Sequence, residues 1–528
     1  MAKIEVLDCT LRDGGYCNQW KFGKNNIEII SSSLIEAGID IIEIGFITNK
    51  IKYDNDVSKY TTFCEAASII PLNRMGKMFV CMINYGEYDI KDIPEYDGTS
   101  VDGIRVAFHK KDMEKAIAFC KGIKEKGYKV FIQGMVTLNY SDEEFLHLID
   151  MVNELEPYAF YIVDSFGVMK KKDLTRLFYI VEKKLATNIK IGYHSHNNMQ
   201  LAYSNAQALT DIRTKRDIII DSSVFGMGRG AGNLNTELYV EYLNDNIGTS
   251  YNLKPLLVII DEILNRFYQQ NYWGYSLPNY LSAKHNVHPN YASFLDAKQT
   301  LTIENIDEIF FMMDDDKKAD YDKEYIENLY IRYMATGETY ETHLNEFKKK
   351  VAGKEVLIIA PGKSSVEEKD KIIEYARNKN NIIISINFEY KECHVDYIFL
   401  SNLRRYRELE MDKRSKCIVT SNIPSADVYI QTKYRELLNK YEAVEDNAGM
   451  MLIKYLIIQN VKKIYIAGLD GYSVDSTQNF ADSKMNFYAK KATVEAINRG
   501  LNYAIEDFSK EIEMEFLTTP KFVNIRRV

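Results

Sequence analysis

Short apolar runs recur through the first half of this chain, separated by stretches whose apolar residues fall at helical spacing. The runs predict strands over 4–11, 39–46, 78–83, 103–108, 129–135, 159–164, 190–194 and 218–224. The intervening segments 26–37, 112–126, 142–154, 172–185 and 199–209 predict helices. Eight β-then-α units in about 245 residues fit a (β/α)8 barrel, with an open doubly wound sheet as the alternative. The chemistry-bearing residues cluster at C-terminal strand ends, where such barrels keep their sites, and this decides for the barrel.

The pattern then changes. Segments 253–268, 277–284, 289–298 and 323–333 read as helices, and Asp314-Asp315-Asp316-Lys317-Lys318 reads as a solvated turn. From Gly353 onward parallel-type strands return at 356–360, 382–387, 397–401, 417–421 and 463–467. The expected organisation is a barrel over 1–250, a helical extension over 251–350 and a Rossmann-like α/β domain over 351–528. The extension is expected to pack on the barrel and to support a homo-oligomer.

Composition narrows the class. The 528 residues are too many for one ordinary domain. Hydrophobic content of 46% with 27% charged residues is a globular balance. A net charge of −8 disfavours nucleic-acid or anionic-membrane partners. No apolar run approaches the roughly 18 residues that cross a bilayer. The N-terminus enters a strand at once, without signal-peptide form. Seven cysteines without a CxxC pair read as reduced thiols, so a cytoplasmic protein is expected.

The chemistry concentrates in Asp8-Cys-Thr-Leu-Arg-Asp13 and His194-Ser-His196, each closing a predicted strand. Residues i and i+2 of a strand point the same way, so His194 and His196 can face one point. Asp13 would add a carboxylate if both strand ends open on one face. Two imidazoles and a carboxylate suit a divalent metal with open positions. Arg12 supplies a fixed cation for an anionic substrate oxygen. Arg105 and Gln133 also sit at strand ends and are expected to touch substrate.

The Thr-Leu-Arg-Asp-Gly context resembles the superfamily of 3-hydroxy-3-methylglutaryl-CoA lyase, 2-isopropylmalate synthase and 4-hydroxy-2-oxovalerate aldolase, over roughly residues 1–300. The resemblance implies a metal-dependent barrel that makes or breaks carbon–carbon bonds beside a carbonyl. It adds Asn233, in Gly226-Met-Gly-Arg-Gly-Ala-Gly-Asn233, as a further metal ligand, although this loop could instead cradle phosphate. It matches Glu43 and Asp164 to family positions, Glu43 partnering Arg12 and Asp164 orienting His194 or His196. Where aldolases of this type place a histidine base, this chain has Tyr16, a poor base at its ordinary pKa. The candidates for the base are thus Tyr16 lowered by the metal, a metal-bound water, or a histidine from elsewhere, with His285 and His288 in view. The run Tyr291-Ala-Ser-Phe-Leu295 resembles an aldolase segment whose tyrosine acts in proton transfer, a role carried here to Tyr291. The implied reaction joins or splits a 2-oxo acid and an aldehyde through a pyruvate-type enolate, with Mn2+ or Mg2+ as cofactor. A Claisen-type acyl-CoA reaction is the alternative.

In the last third, Gly362-Lys-Ser-Ser365, Ile386-Asn-Phe388, Asn447-Ala-Gly449 and the run ending Gly468-Leu-Asp470-Gly-Tyr472 are similar to bacterial sialyltransferase-like proteins. The similarity implies a nucleotide-sugar site at Gly362, Ser364, Asn387 and Gly449, and a place in sugar-acid or surface-glycan metabolism. A bifunctional glycan enzyme is the second alternative. No histidine follows Asp470 to act as a transfer base, the last being His394, so glycosyl transfer is not expected.

Overall fold

A computed structural model gives the architecture and describes residues 3–298, 300–335, 343–378, 380–424, 427–485 and 491–520. The chain divides into two compact units, Met1–Ser293 with Asp314–Tyr321, and Phe294–Met313 with Asp322–Val528. The helical stretch between barrel and second sheet is thus shared out. Leu253–Ile259, Asn265–Gln270 and Leu277–Lys284 belong to the first unit, and Ile303–Phe311, Lys323–Met334 and Leu344–Val351 to the second.

The first unit is a barrel of parallel strands. Its strands are β1 (Ile4–Asp8), β2 (Ile41–Ile47), β3 (Lys59–Tyr60), β4 (Met78–Asn84), β5 (Gly103–Phe108), β6 (Lys129–Gly134), β7 (Ala159–Asp164), β8 (Lys190–Ser195) and β9 (Ile218–Ser222). β1 pairs with both β9 and β2, which closes eight of them into a ring, and β3 is a short addition beside β2. Helices cover the outside and side chains fill the inside, so β2, β5, β7 and β9 are buried along their whole length.

The interior is layered because inward-facing side chains recur every second residue. Leu7, Ile41, Val80, Phe131, Ala159 and Ile219 pack as an apolar plug. Two residues beyond Ile41 and Ile219, Glu43 and Asp221 join Arg105 of β5 in a charged layer, each almost wholly buried. Above it the strands open onto the loops that carry the site.

The second unit holds a seven-stranded parallel sheet: β10 (Glu355–Ile359), β11 (Ile382–Ile386), β12 (Tyr397–Leu400), β13 (Cys417–Thr420), β14 (Ile430–Thr432), β15 (Lys463–Ala467) and β16 (Glu513–Phe516). Their order is β14-β13-β12-β11-β10-β15-β16. The chain steps outward from β10 to β14 and then crosses to the other edge of β10, which puts the topological switch point between β10 and β15. Among the described residues no helix is long and apolar enough to cross a membrane. All seven cysteines are free.

Candidate active site

The turn after β1 is built to present Arg12 and Asp13. Asp8, the last residue of the strand, accepts the Thr10 N–H at 2.9 Å and the Thr236 hydroxyl at 2.6 Å. The chain then makes one helical turn, Thr10–Asp13, with the Asp13 N–H returning to Cys9 O at 2.8 Å. Trp20 Nε1 donates to Arg12 O at 2.7 Å and fastens the turn from outside. At the end of β8 the two-residue period brings His194 and His196 to the same mouth. Asn233 bridges to His196 through the backbone.

Asp13, His194 and His196 each offer a ligand atom, and these atoms lie within 4.8 Å of one another. All three residues are buried, as is Asn233. Asn233 Nδ2 donates to Asp13 Oδ2 at 2.6 Å and to Met227 O at 3.2 Å. Asn233 Oδ1 and His196 Nδ1 are buried without a hydrogen-bond partner. Unpaired buried acceptors are costly unless something outside the chain satisfies them. Burial pulls the His196 pKa down to about 3 despite Asp13, so the imidazole keeps its lone pair. Burial works against ionisation of Asp13, but Arg12 and then His196 hold its carboxyl well below the usual range. The neutral His196 imidazole, the His194 imidazole beside it, a fixed carboxylate and an orphaned amide oxygen together fit a divalent cation.

The charged layer holds this set in place. Arg12 Nε donates to Glu43 Oε2 at 2.8 Å and Arg12 Nη1 to Asp13 Oδ1 at 2.5 Å, leaving Nη2 buried and unpartnered. Arg105 Nη1 donates to the same Glu43 oxygen at 2.8 Å, and Arg105 Nη2 to Asp221 Oδ2. Asp221 Oδ2 lies 3.0 Å from His194 Nδ1. Burial opposes ionisation of Asp221, but Arg105 keeps its carboxyl below the ordinary value. An ionised carboxylate only accepts, so His194 carries its proton on Nδ1 and offers Nε2 as ligand.

Two expectations change here. Arg105 is fully buried, with Nη1 and Nη2 committed to Glu43 and Asp221 and only Nε unpartnered, so it serves as a crossbeam of the barrel interior. Asp164 orients neither imidazole; its carboxylate accepts the N–H groups of Val168 and Met169 at 2.9 and 3.0 Å and pins its own loop. Burial raises its pKa to about 7 in spite of those bonds. The orienting acid is Asp221. Gln133 does face inward with its Nε2 unpartnered, a donor still available to a substrate oxygen.

The groups suited to proton transfer gather around Arg229, from the glycine-rich loop after β9. Its guanidinium lies 5.4 Å over the Tyr16 ring, donates to Ser165 O at 3.1 Å and sits 3.3 Å from His288 Nε2. Arginine has no acceptor, so His288 must accept there. Burial, then Arg229, lowers the His288 pKa to about 2, which keeps the ring neutral. Tyr16 is 38% exposed, yet desolvation around its hydroxyl pushes its pKa above the ordinary 10. Tyr291 departs from its expected role. It is fully buried, with its hydroxyl 2.9 and 2.8 Å from the carbonyls of Lys317 and Asp320. Its ring packs behind His288, 6.5 Å between centroids. His285 lies in a separate cleft with His109 and Lys318.

In the second unit, Gly362, Asn387 and Gly449 line a cavity of about 700 Å3 beside the switch point. Ser364 does not. It is fully buried, its N–H donates to Asp470 at 2.8 Å, and its hydroxyl is engaged by the same carboxylate.

Sequence reasoning passed over Asp221 and Arg229. Asp221 gave the same signal as Glu43, an acid in an apolar strand. Arg229 stood inside the loop that was read for Asn233 and for a phosphate cradle.

Comparison with known proteins follows this geometry. Residues 3–262 match the HMGL-like family. The chain is 27% identical over 245 residues to a 4-hydroxy-2-oxovalerate aldolase of Geobacillus genomosp. 3, covering 46% of this chain and 70% of that protein. It is 25% identical over 274 residues to a 4-hydroxy-2-oxovalerate aldolase of Pelotomaculum thermopropionicum, covering 50% and 78%. It is 26% identical over 242 residues to an oxaloacetate decarboxylase of Mycobacterium tuberculosis, covering 45% and 69%. The barrel, with its Asp13, His194 and His196 cluster at the C-terminal strand ends, is an HMGL-like domain.

Proposed function

We propose that the barrel makes or breaks a carbon–carbon bond beside the carbonyl of a 2-oxo acid, with an aldehyde as the second partner. The observation that carries this reading is the unpartnered Arg12 Nη2 beside three converging metal-type ligands. The aldolases and the decarboxylase among the relatives support it, since their printed substrates are 2-oxo acids. A divalent cation, Mn2+ or Mg2+, held by Asp13, His194, His196 and Asn233 would supply Lewis acidity toward the substrate carbonyl.

The chain's own residues do the rest. Arg12 donates to the oxygen on which enolate charge develops, and Glu43 fixes the plane of its guanidinium. Gln133 Nε2 orients a second substrate oxygen. In the cleavage direction the proton of the 4-hydroxyl passes to the neutral His288 once the anionic substrate draws Arg229 from its Nε2; the C3–C4 bond then breaks to aldehyde and enolate, and that proton returns to the enolate C3 to leave pyruvate. Tyr16, kept protonated, is a donor rather than a base. Tyr291 positions His288.

The test is pyruvate release from a panel of 4-hydroxy-2-oxo acids and from oxaloacetate, with Mn2+, Mg2+ or a chelator. Metal-dependent pyruvate release, lost in the double variant H194A/H196A together with metal uptake, is expected. Release that survives in the double variant, or that ignores the chelator, would overturn the reading.

For the second unit we propose binding of a nucleotide-sugar, CMP-linked compounds first, without glycosyl transfer. The support is the cavity at the switch point, where open parallel sheets take their ligands.

A further inference from the structure

The glycine turn after β10 looks in sequence like a phosphate cradle, but three of its N–H donors are spent. Gly362 N–H bonds Gly468 O at 2.9 Å, Ser364 N–H bonds Asp470, and Ser365 N–H returns to Gly362 O at 3.0 Å. A Cβ on Gly362 would lie 2.3 Å from Gly468 O. That glycine serves the close packing of two turns.

Positive charge gathers on another wall of the same cavity. Arg404, Arg405, Lys298 and Lys484 all line it. Among the described residues Arg404 reaches only Leu301 O, at 3.4 Å, and the Lys484 amine has no acceptor. Arg405 is shared between Glu408 at 2.9 Å and the Lys484 carbonyl at 3.4 Å. The acids of the cavity are already occupied. Asp446 accepts from the hydroxyls of Tyr330 and Tyr434, Asp470 from Ser364, and Glu442 pairs with Lys323 at 2.5 Å. The cavity therefore favours an anion, at the arginine wall.

A second demand comes from Asn387. It follows β11 with φ +63°, and its Oδ1 is buried with no partner. A buried amide oxygen calls for a donor on the ligand, such as an amine of a base or a ribose hydroxyl. The Tyr472 and Phe480 rings, 6.0 Å apart, add aromatic surface to the lining.

We propose that this cavity binds a nucleoside phosphate whose phosphate rests on Arg404, Arg405 and Lys484 and whose donor-bearing nucleoside is read by Asn387. The proposal rests on the nucleotide reading of the second unit and does not require a sugar. Calorimetry on the full chain with CMP, CDP, UDP, GDP, inorganic pyrophosphate and CMP- and UDP-sugars tests it. The double variant R404Q/K484Q should weaken a nucleoside diphosphate at least tenfold and flatten its salt dependence. N387G, which keeps the left-handed backbone, should weaken nucleotides while leaving pyrophosphate unchanged. Far-UV circular dichroism and thermal unfolding of the full chain, unchanged in both variants, show that the second unit still folds.

Nucleoside diphosphates binding without their sugar conjugates would support this inference while ending the nucleotide-sugar reading. No nucleotide bound more tightly than roughly 1 mM would overturn it. So would full affinity in R404Q/K484Q, or pyrophosphate binding as tightly as CDP.

Discussion

Replacing Arg105 by methionine tests whether the charged layer is the frame of the site. Methionine fills most of the volume and removes two charge-assisted bonds, one to Glu43 at 2.8 Å and one to Asp221. The two acids fare differently. Glu43 keeps Arg12, but Asp221 loses its arginine and is left with His194 and the Tyr161 hydroxyl in a fully buried setting. Breaking a buried pair from one side typically costs about 3–5 kcal/mol, because the remaining charge is uncompensated. R105M should therefore lose about 4 kcal/mol, a fall on the order of 1 M in urea midpoint.

Both tryptophans, Trp20 and Trp273, lie in the first unit, so intrinsic fluorescence follows unfolding of the barrel alone. Adding Asp221→Asn to R105M removes the stranded charge while leaving an oxygen to accept from His194. The double variant should regain about 1–3 kcal/mol over R105M. Loss below about 1 kcal/mol in R105M, or a double variant weaker than R105M, would refute the crossbeam argument.

Four further outcomes follow from the same geometry. Arg12→Lys keeps the charge but loses the fork; turnover should fall about a hundredfold to a thousandfold with metal stoichiometry unchanged, and near wild-type turnover would make Arg12 structural. Asp221→Asn alone should weaken metal binding about 10–100-fold by loosening the His194 tautomer, read by metal titration. Gly228→Ala, whose Cβ would lie 2.1 Å from Asn233 Nδ2 and 2.7 Å from Asp13 Oδ2, should abolish metal uptake although it changes no ligand. Tyr291→Phe removes only a hydroxyl bonded to two backbone carbonyls, so it should lower stability by about 1 kcal/mol and leave kcat within a few-fold; a large kcat loss would return Tyr291 to the proton path.

The barrel was legible because its strands are buried on both faces, so the apolar runs are nearly continuous and long enough to stand out. In the second unit the same signal marked five strands. It missed β14, which has three residues, and β16, whose Glu513-Met-Glu-Phe516 alternates with charge as a partly exposed strand does. The helix from Leu253 to Gln270 contains a π-turn at Ile260–Leu264, and apolar periodicity averages over such a local change.

The site was legible where the partners are close in sequence or follow a fixed period. His194 and His196 are two residues apart on one strand, and Arg12 and Asp13 are adjacent. Of the long-range pairings, Glu43 with Arg12 and Asn233 with Asp13 were legible through the family resemblance, whereas others were read wrongly or not at all. Asp164 resembled the acid that should steer a histidine, but its own loop bends back and takes both oxygens, while Asp221, 27 residues from His194, reaches the ring. Ser364 looked like a phosphate ligand until Asp470, 106 residues away, claimed both its N–H and its hydroxyl. In each case the motif showed which side chain can bind an anion or an imidazole. It carried no information about a competing partner that the fold delivers from elsewhere. That is why we propose Arg404 and Lys484, in no recognisable motif, as the anion ligands of the second unit: among the described residues no acid pairs with either.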